Sequence, residues 1–137
     1  MKELLLGILG FFAVGIGIII AITNKFSKKL YNVKEVDILK MEDVIIFFKK
    51  KEVFDKLVSD NNLMAVAIKE TIKENKKDYY KISLTLYDEK TEDILNIDNC
   101  ILAFKAKDID TDLKNAFGDK DMIVLNWFII YIIAVMK

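Results

Sequence analysis

The pattern of apolar and charged positions divides the chain into three parts. Leu4 to Ile22 contains no charged residue, and a second apolar run extends from Met122 to Met136. Between them, apolar and charged residues alternate at helix-like and strand-like spacings. We therefore predict a membrane anchor with a basic juxtamembrane segment at residues 1–31, a folded domain at 32–121, and an apolar C-terminal segment at 122–137.

The first apolar run has the length of a transmembrane helix. Its 19 residues would span about 28 Å as a helix, close to the hydrocarbon thickness of a bilayer. Lys25, Lys28 and Lys29 follow the run directly, whereas only Lys2 precedes it. The positive-inside rule then places the N-terminus outside the cell membrane and the domain in the cytoplasm. The alternative is an uncleaved export signal with the domain outside.

Small residues form a stripe on the predicted anchor helix. Gly10, Ala13, Gly17 and Ala21 recur at spacings of three and four, which puts them on one helix face and would let two anchors pack closely as a homo-oligomer. The three lysines that follow the run are candidates for contacts with anionic lipid headgroups, although three positive charges form a weak cluster.

The second apolar run permits three interpretations. Its 15 residues would give about 22 Å of helix, which is short for a membrane span. Asn126 interrupts the run, and Trp127 and Tyr131 are residue types that favour membrane interfaces. Residues 126–136 are therefore a membrane-inserted or interfacial helix, a strand or helix of the domain core, or a partner-binding segment.

The first half of the domain has helical periodicity. Apolar residues between Met41 and Val58 recur at helical spacing. We predict one helix here, or two short helices broken near residues 49–52, with the lysine run Lys49 to Lys51 on a solvated face. The segment from Thr23 to Leu39 is the expected hinge between anchor and domain.

Three strands are predicted next. Leu63 to Lys73 begins with a continuous apolar stretch, and Tyr79 to Tyr87 alternates between apolar and polar residues, so one of its faces should be buried. In that strand, Lys81, Ser83 and Thr85 lie on the predicted outer face. Ile94 to Lys107 forms the third strand. Short polar links between the three predict an antiparallel meander.

A short helix and a candidate fourth strand complete the predicted fold. Asp110 is placed to cap a helix that ends at Phe117, and Gly118 follows as its terminator. Met122 to Leu125 is the candidate strand. The order of elements predicts an α+β domain, with helices packed on one face of the sheet.

The composition narrows the chemistry. There is no His, Arg or Pro, Cys100 is the only cysteine, and the formal net charge is zero. The chain therefore has no imidazole base, no guanidinium for phosphate capture and no Cys/His zinc set. It also has no overall charge that would attract nucleic acid. We read Cys100 as a buried apolar residue and expect no cofactor or metal.

Two local patterns are candidates for a calcium site and a base-stacking site. Asp108, Asp110 and Asp112 alternate as at the start of an EF-hand loop, but Leu113 and Asp119 stand where that loop needs Gly and Glu. We therefore interpret them as a charged helix start. Tyr79 and Tyr80 are neighbours in a strand and point to opposite faces, so they are a poor base-stacking platform. We assign no catalytic residue.

These features favour a small, membrane-anchored, non-enzymatic interaction or regulatory module at the inner membrane face. An accessory subunit or an immunity or inhibitor protein would have this form, with an unidentified protein as its partner. One alternative is a membrane-disrupting or pore-forming assembly, which the two apolar ends and the small-residue stripe would suit. The other is a small-ligand sensor that signals through oligomerisation of the anchor.

Overall fold

The computed structural model describes residues 33–95 and 98–125. The predicted anchor and residues 126–136 lie outside the described residues. The elements, in chain order, are β1 (Val33–Leu39), α1 (Met41–Lys49), α2 (Lys51–Ser59), β2 (Leu63–Glu74), β3 (Lys77–Asp88), β4 (Asp93–Ile94), a 3-10 turn (Asp98–Cys100), β5 (Ile101–Ile109), α3 (Thr111–Phe117) and β6 (Met122–Val124). This is a small α+β domain.

The strands form one mixed sheet in the order β1-β5-β3-β2-β6, and β4 pairs with the end of β3. The predicted antiparallel meander is confirmed, because β3 pairs antiparallel with both β2 and β5. The predicted start of its third strand at Ile94 is wrong, because β5 begins at Ile101 after a 3-10 turn. The candidate fourth strand is also confirmed as β6, which is antiparallel to β2.

The prediction of a hinge reaching Leu39 is wrong for residues 33–39. They form β1, which runs parallel to β5 and makes the sheet mixed rather than purely antiparallel. β1 is an edge strand whose side chains are mostly exposed, and only Leu39 is fully buried. An edge strand with little buried surface carries almost no apolar alternation, which explains why the sequence pattern did not reveal it.

A long hairpin joins the first two strands of the meander, β2 and β3. β2 and β3 have 12 residues each and pair from Leu63 with Asp88 to Glu74 with Lys77. Asn75 and Lys76 form the turn with φ of 53° and 65°. Two consecutive positive φ angles are typical of the type I′ turn, whose twist matches that of the paired strands. We call this the hairpin end of the sheet, and the opposite end, where β2 begins, the proximal end.

Residues 41–59, where the sequence has helical periodicity, form two helices. This was one of the two predicted alternatives. The break falls at Lys50, whose backbone is extended (ψ 137°). The Asp43 carboxylate accepts a hydrogen bond from the Lys40 backbone N–H at 3.0 Å, which helps to fix the start of α1. None of the helices in residues 33–95 and 98–125 combines the length and the apolar content that a membrane span requires.

The helices pack on one face of the sheet, as predicted. Their buried side chains share one core with alternate residues of β2, β3 and β5. Phe48 and Phe117 are among its largest fully buried side chains, and Leu113, Ala116 and Phe117 supply the contribution of α3. Each helix needs such a face, because burying apolar surface rather than intrinsic propensity stabilises helices this short.

We call the face of the sheet opposite the helices the second face. It is more buried than the alternation of apolar and polar residues in β3 predicted. Ser83 and Thr85, on the predicted outer face, are 0% exposed, whereas Lys81 is only half-buried. They lie among a second set of buried apolar side chains: Val66, Ile68, Tyr87, Ile94, Ile101, Met122 and Val124. The expectation of a half-buried strand is therefore wrong for the proximal half of β3. The prediction failed because Ser and Thr are small enough to lie inside an apolar layer, although polar side chains at alternate positions of a strand normally indicate a solvent-exposed face.

Candidate functional site

Toward the hairpin end, the side chains on the second face are charged rather than apolar. Strand register places Glu70 opposite Lys81, Lys81 opposite Lys105, and Lys105 opposite Glu35. These four charged residues therefore form a row across β2, β3, β5 and β1, directly beyond the buried apolar half. Charges of opposite sign alternate at both ends of the row, whereas Lys81 and Lys105 stand side by side at its centre.

Lys105 is the most heavily contacted charge of this region. Its Nζ donates to Glu74 Oε2 at 2.6 Å and lies 3.6 Å from Glu35 Oε1. The same Nζ is 4.7 Å from the centroid of the Tyr79 ring, within range of a cation–π interaction. The hydrogen bond that Lys105 donates to Glu74 and the neighbouring negative charges raise the pKa of Lys105 above its ordinary value. Lys105 is therefore held as a cation against an aromatic ring.

A shallow open pocket of about 360 Å³ lies beside this lysine. It is lined by Glu35, Val36, Asp37, Tyr79, Lys105 and Lys107. Lys107 pairs with Asp37 at 3.4 Å, and both side chains are largely exposed. Exposed ion pairs of this kind contribute little to stability, so their charges are available to a partner at small cost. The pocket offers both signs of charge and one aromatic wall, which suits a polar peptide surface better than a purely anionic ligand.

The two neighbouring tyrosines lie on opposite faces, as predicted. Tyr80 packs against the helix-covered core, whereas Tyr79 lines the pocket on the second face. The lysine run is exposed, also as predicted, and Lys51 forms an ion pair with Asp55 at 2.8 Å within α2.

The alternating aspartates serve the junction between β5 and α3. Asp110 Oδ1 accepts from Leu113 N–H at 2.9 Å, which confirms the predicted cap. Asp108 accepts from Ile109 N–H at 2.8 Å and contacts Lys114 Nζ at 3.3 Å. Within residues 33–95 and 98–125, no group of three or more Cys, Asp or Glu side chains is arranged to hold a metal ion. The interpretation as a charged helix start is thus confirmed for Asp110.

Cys100 is fully buried, as predicted. Desolvation raises the pKa of its thiol, and the nearby positive charge of Lys56 only partly opposes this shift. Since the thiolate is the reactive form, both burial and the raised pKa disfavour nucleophilic chemistry at Cys100.

The predicted anchor contacts Gly10, Ala13, Gly17 and Ala21, and the predicted headgroup contacts Lys25, Lys28 and Lys29, lie outside the described residues. They stay predictions. Sequence reasoning missed the pocket because it did not recognise β1, which supplies Glu35 and Asp37. One signal was present: Lys105 and Lys107 alternate with Phe104 and Ala106, which places both lysines on the face away from the core.

Comparisons with protein-family models, curated proteins and solved structures found no significant match to this chain. The function is therefore argued from the geometry of the domain.

Proposed function

We propose that this protein is a membrane-anchored interaction module that binds another protein at the inner face of the cell membrane. In this proposal, Leu4 to Ile22 forms a single membrane-spanning helix with its N-terminus outside. The domain lies in the cytoplasm, and its role is regulatory or that of an accessory or inhibitory subunit rather than an enzyme. Tethering raises the effective concentration of a partner in the same membrane, so a modest contact surface is sufficient.

The path of the chain through the sheet carries the proposal. β1 is parallel to β5, which has the same direction as β2, so the chain enters the sheet at the proximal end. β6 runs antiparallel to β2, so the chain also leaves at the proximal end. Both apolar runs are therefore connected to the same end of the domain. An anchor attached there would orient the proximal end toward the bilayer and the hairpin end away from it.

The surface at the hairpin end has the properties of a partner site. The pocket between Tyr79, Lys105 and Asp37 opens on the half of the second face that is farther from the proximal end. Its charges are half-buried or exposed, and they sit next to an aromatic ring, a combination that favours specific polar recognition. We therefore assign partner binding to this pocket.

Membrane attachment is tested by extraction of membranes with alkaline carbonate. We expect the full chain to remain in the pellet, and a variant with Phe12→Glu and Val14→Glu to be extracted, because charges at a helix centre oppose insertion by about 3 kcal/mol each. Ile46→Glu, at an exposed position on α1, is the matched control and should stay in the pellet. Complete extraction of the unaltered chain would contradict the anchor.

Partner binding is tested by photo-crosslinking in cells, with a benzophenone amino acid at position 79 or, as control, at position 46. We expect one reproducible adduct from position 79 that disappears when Lys105→Glu reverses the central charge of the pocket. Position 46 lies on the helix side of the sheet and should not yield this adduct. Equal adducts from both positions, or an adduct insensitive to Lys105→Glu, would refute the assignment of the pocket.

A further inference from the structure

The proximal half of the second face is buried to a degree that the described residues do not account for. Val66, Ile68 and Met122 are each 0% exposed. Ser83, Thr85 and Ala103 lie on the same face by register, and they too are at most 1% exposed. A sheet face open to water leaves its central side chains partly accessible, so a layer of residues must cover this half.

The described helices do not form that layer. All buried residues of α1, α2 and α3 belong to the core on the opposite face. The buried apolar set on the second face consists, among the described residues, of β-strand side chains alone. No helix of residues 33–95 and 98–125 therefore contributes a buried side chain to this face.

We propose that residues 126–136 cover the proximal half of the second face. They follow β6 without a linker: Leu125 N–H donates to Ala65 O at 2.8 Å, still in the pairing of β6 with β2. Met122 and Val124 already belong to the buried set on this face. The segment therefore starts at one edge of the surface that it would cover.

The length of the segment matches the width of the buried surface. From β6 through β2 and β3 to β5 the sheet makes three strand-to-strand steps, or about 14 Å. The 11 residues 126–136 would measure about 16 Å as a helix. A helix of that length would be long enough to cross the buried surface from its β6 edge to β5.

The two apolar runs differ in whether their side chains could form hydrogen bonds with this face. Ser83 Oγ and Thr85 Oγ1 are buried without a hydrogen-bond partner among the described residues. Leu4 to Ile22 contains no side chain that can form a hydrogen bond, whereas Asn126, Trp127 and Tyr131 all can. Because unsatisfied buried hydroxyls are costly, the C-terminal run fits this face and the N-terminal run does not. This leaves Leu4 to Ile22 free to act as the anchor, although the inference holds whether or not it does.

Trp127 is the only tryptophan of the chain, so its fluorescence reports on this segment in the full-length protein. With the protein reconstituted in phosphatidylcholine vesicles, we expect Trp127 emission to be blue-shifted and unaffected when the lipid carries brominated acyl chains. Ile68→Ser places a hydroxyl beneath the cover and should shift the emission to longer wavelength. Ile38→Ser, at an exposed β1 position, is the control and should not.

Two results would overturn the inference. Strong quenching by brominated lipid would place residues 126–136 in the bilayer. Emission that is identical in unaltered protein, Ile68→Ser and Ile38→Ser, with circular dichroism confirming that all three are folded, would place Trp127 away from the sheet. If Ile68→Ser does not fold, the isosteric Val66→Thr takes its place on the same face, and the result with brominated lipid stands independently of either variant. If the anchor fails in carbonate extraction, the comparison of Trp127 emission among the unaltered protein, Ile68→Ser and Ile38→Ser is made in solution and tests the inference there.

Discussion

The carboxylate of Asp110 accepts hydrogen bonds from the N-terminal turns of two helices. Oδ1 accepts from Leu113 N–H in the first turn of α3, and Oδ2 accepts from Met41 N–H, at 3.1 Å, at the start of α1. The sequence predicted the first contact, because the cap lies three residues before its donor. It did not predict the second, which joins residues 69 positions apart and depends on the packing of the sheet.

Substitution of Asp110 separates these two contacts. We expect Asp110→Ala to lower the free energy of unfolding by about 1–2 kcal/mol, because both helix-end N–H groups lose their acceptor. Asp110→Asn retains a capping oxygen for Leu113 but presents an amide to Met41, so its loss should be smaller. Urea denaturation measures both values. Equal losses in the two variants would mean that the cap on Leu113 adds nothing to the contact with Met41, and no loss in Asp110→Asn would mean that the contact with Met41 contributes nothing.

Asp108 makes the stability of this junction dependent on pH. The hydrogen bond from Ile109 N–H and the contact with Lys114 lower the pKa of Asp108 below its ordinary value of 3.8. Because the pKa is lower in the folded state, the carboxylate stabilises the fold above the unfolded-state pKa. That stabilisation is lost as the pH falls through the folded-state pKa.

We therefore expect Asp108→Asn to be less sensitive to acid than the unaltered protein between about pH 5 and pH 2.5. The measurement is the urea midpoint as a function of pH. Asp119→Asn, which removes one carboxylate at an exposed position, is the matched control and should follow the unaltered protein. Parallel curves for all three proteins would show that the contacts of Asp108 do not bias its protonation.

Among the elements, the β2–β3 hairpin carries an unfavourable turn residue. Lys76 has a φ of 65°. Glycine adopts this backbone conformation without steric strain, whereas residues with a Cβ atom are strained in it. We expect Lys76→Gly to stabilise the protein by about 0.5–1 kcal/mol, as measured by thermal or urea unfolding. Lys77→Gly, one residue later in β3, is the control and should destabilise because it weakens a strand. A loss of stability in both variants would contradict the assigned turn.

Elements with strong periodicity were predictable and those without it were not. The meander and the capped α3 follow from local sequence patterns, whereas the break between α1 and α2 was only one of two alternatives that the pattern allowed. β1 lacks such a pattern because it lies at an exposed edge, and with it the sequence missed Glu35 and Asp37 in the pocket. The burial of Ser83 and Thr85 was also missed, since burial on the second face depends on residues far away in the chain.

At the scale of the whole molecule, the polarity of the second face runs along the sheet. The apolar half lies toward the proximal end, where the chain enters and leaves, and the charged half lies toward the hairpin end. A domain tethered by Leu4 to Ile22 would therefore present Tyr79 and Lys105 away from the bilayer. In our proposal, the positive-inside rule applied to Lys25, Lys28 and Lys29 places that surface in the cytoplasm.

The central claim is a domain held on the cytoplasmic side of a membrane, and labelling with a membrane-impermeant maleimide in intact cells tests it most directly. Lys73→Cys puts an exposed thiol near the hairpin end, while the buried Cys100 of the unaltered chain supplies the unreactive background. We expect Lys73→Cys to be labelled only after the cells are broken. Labelling in intact cells would place the domain outside and contradict the account.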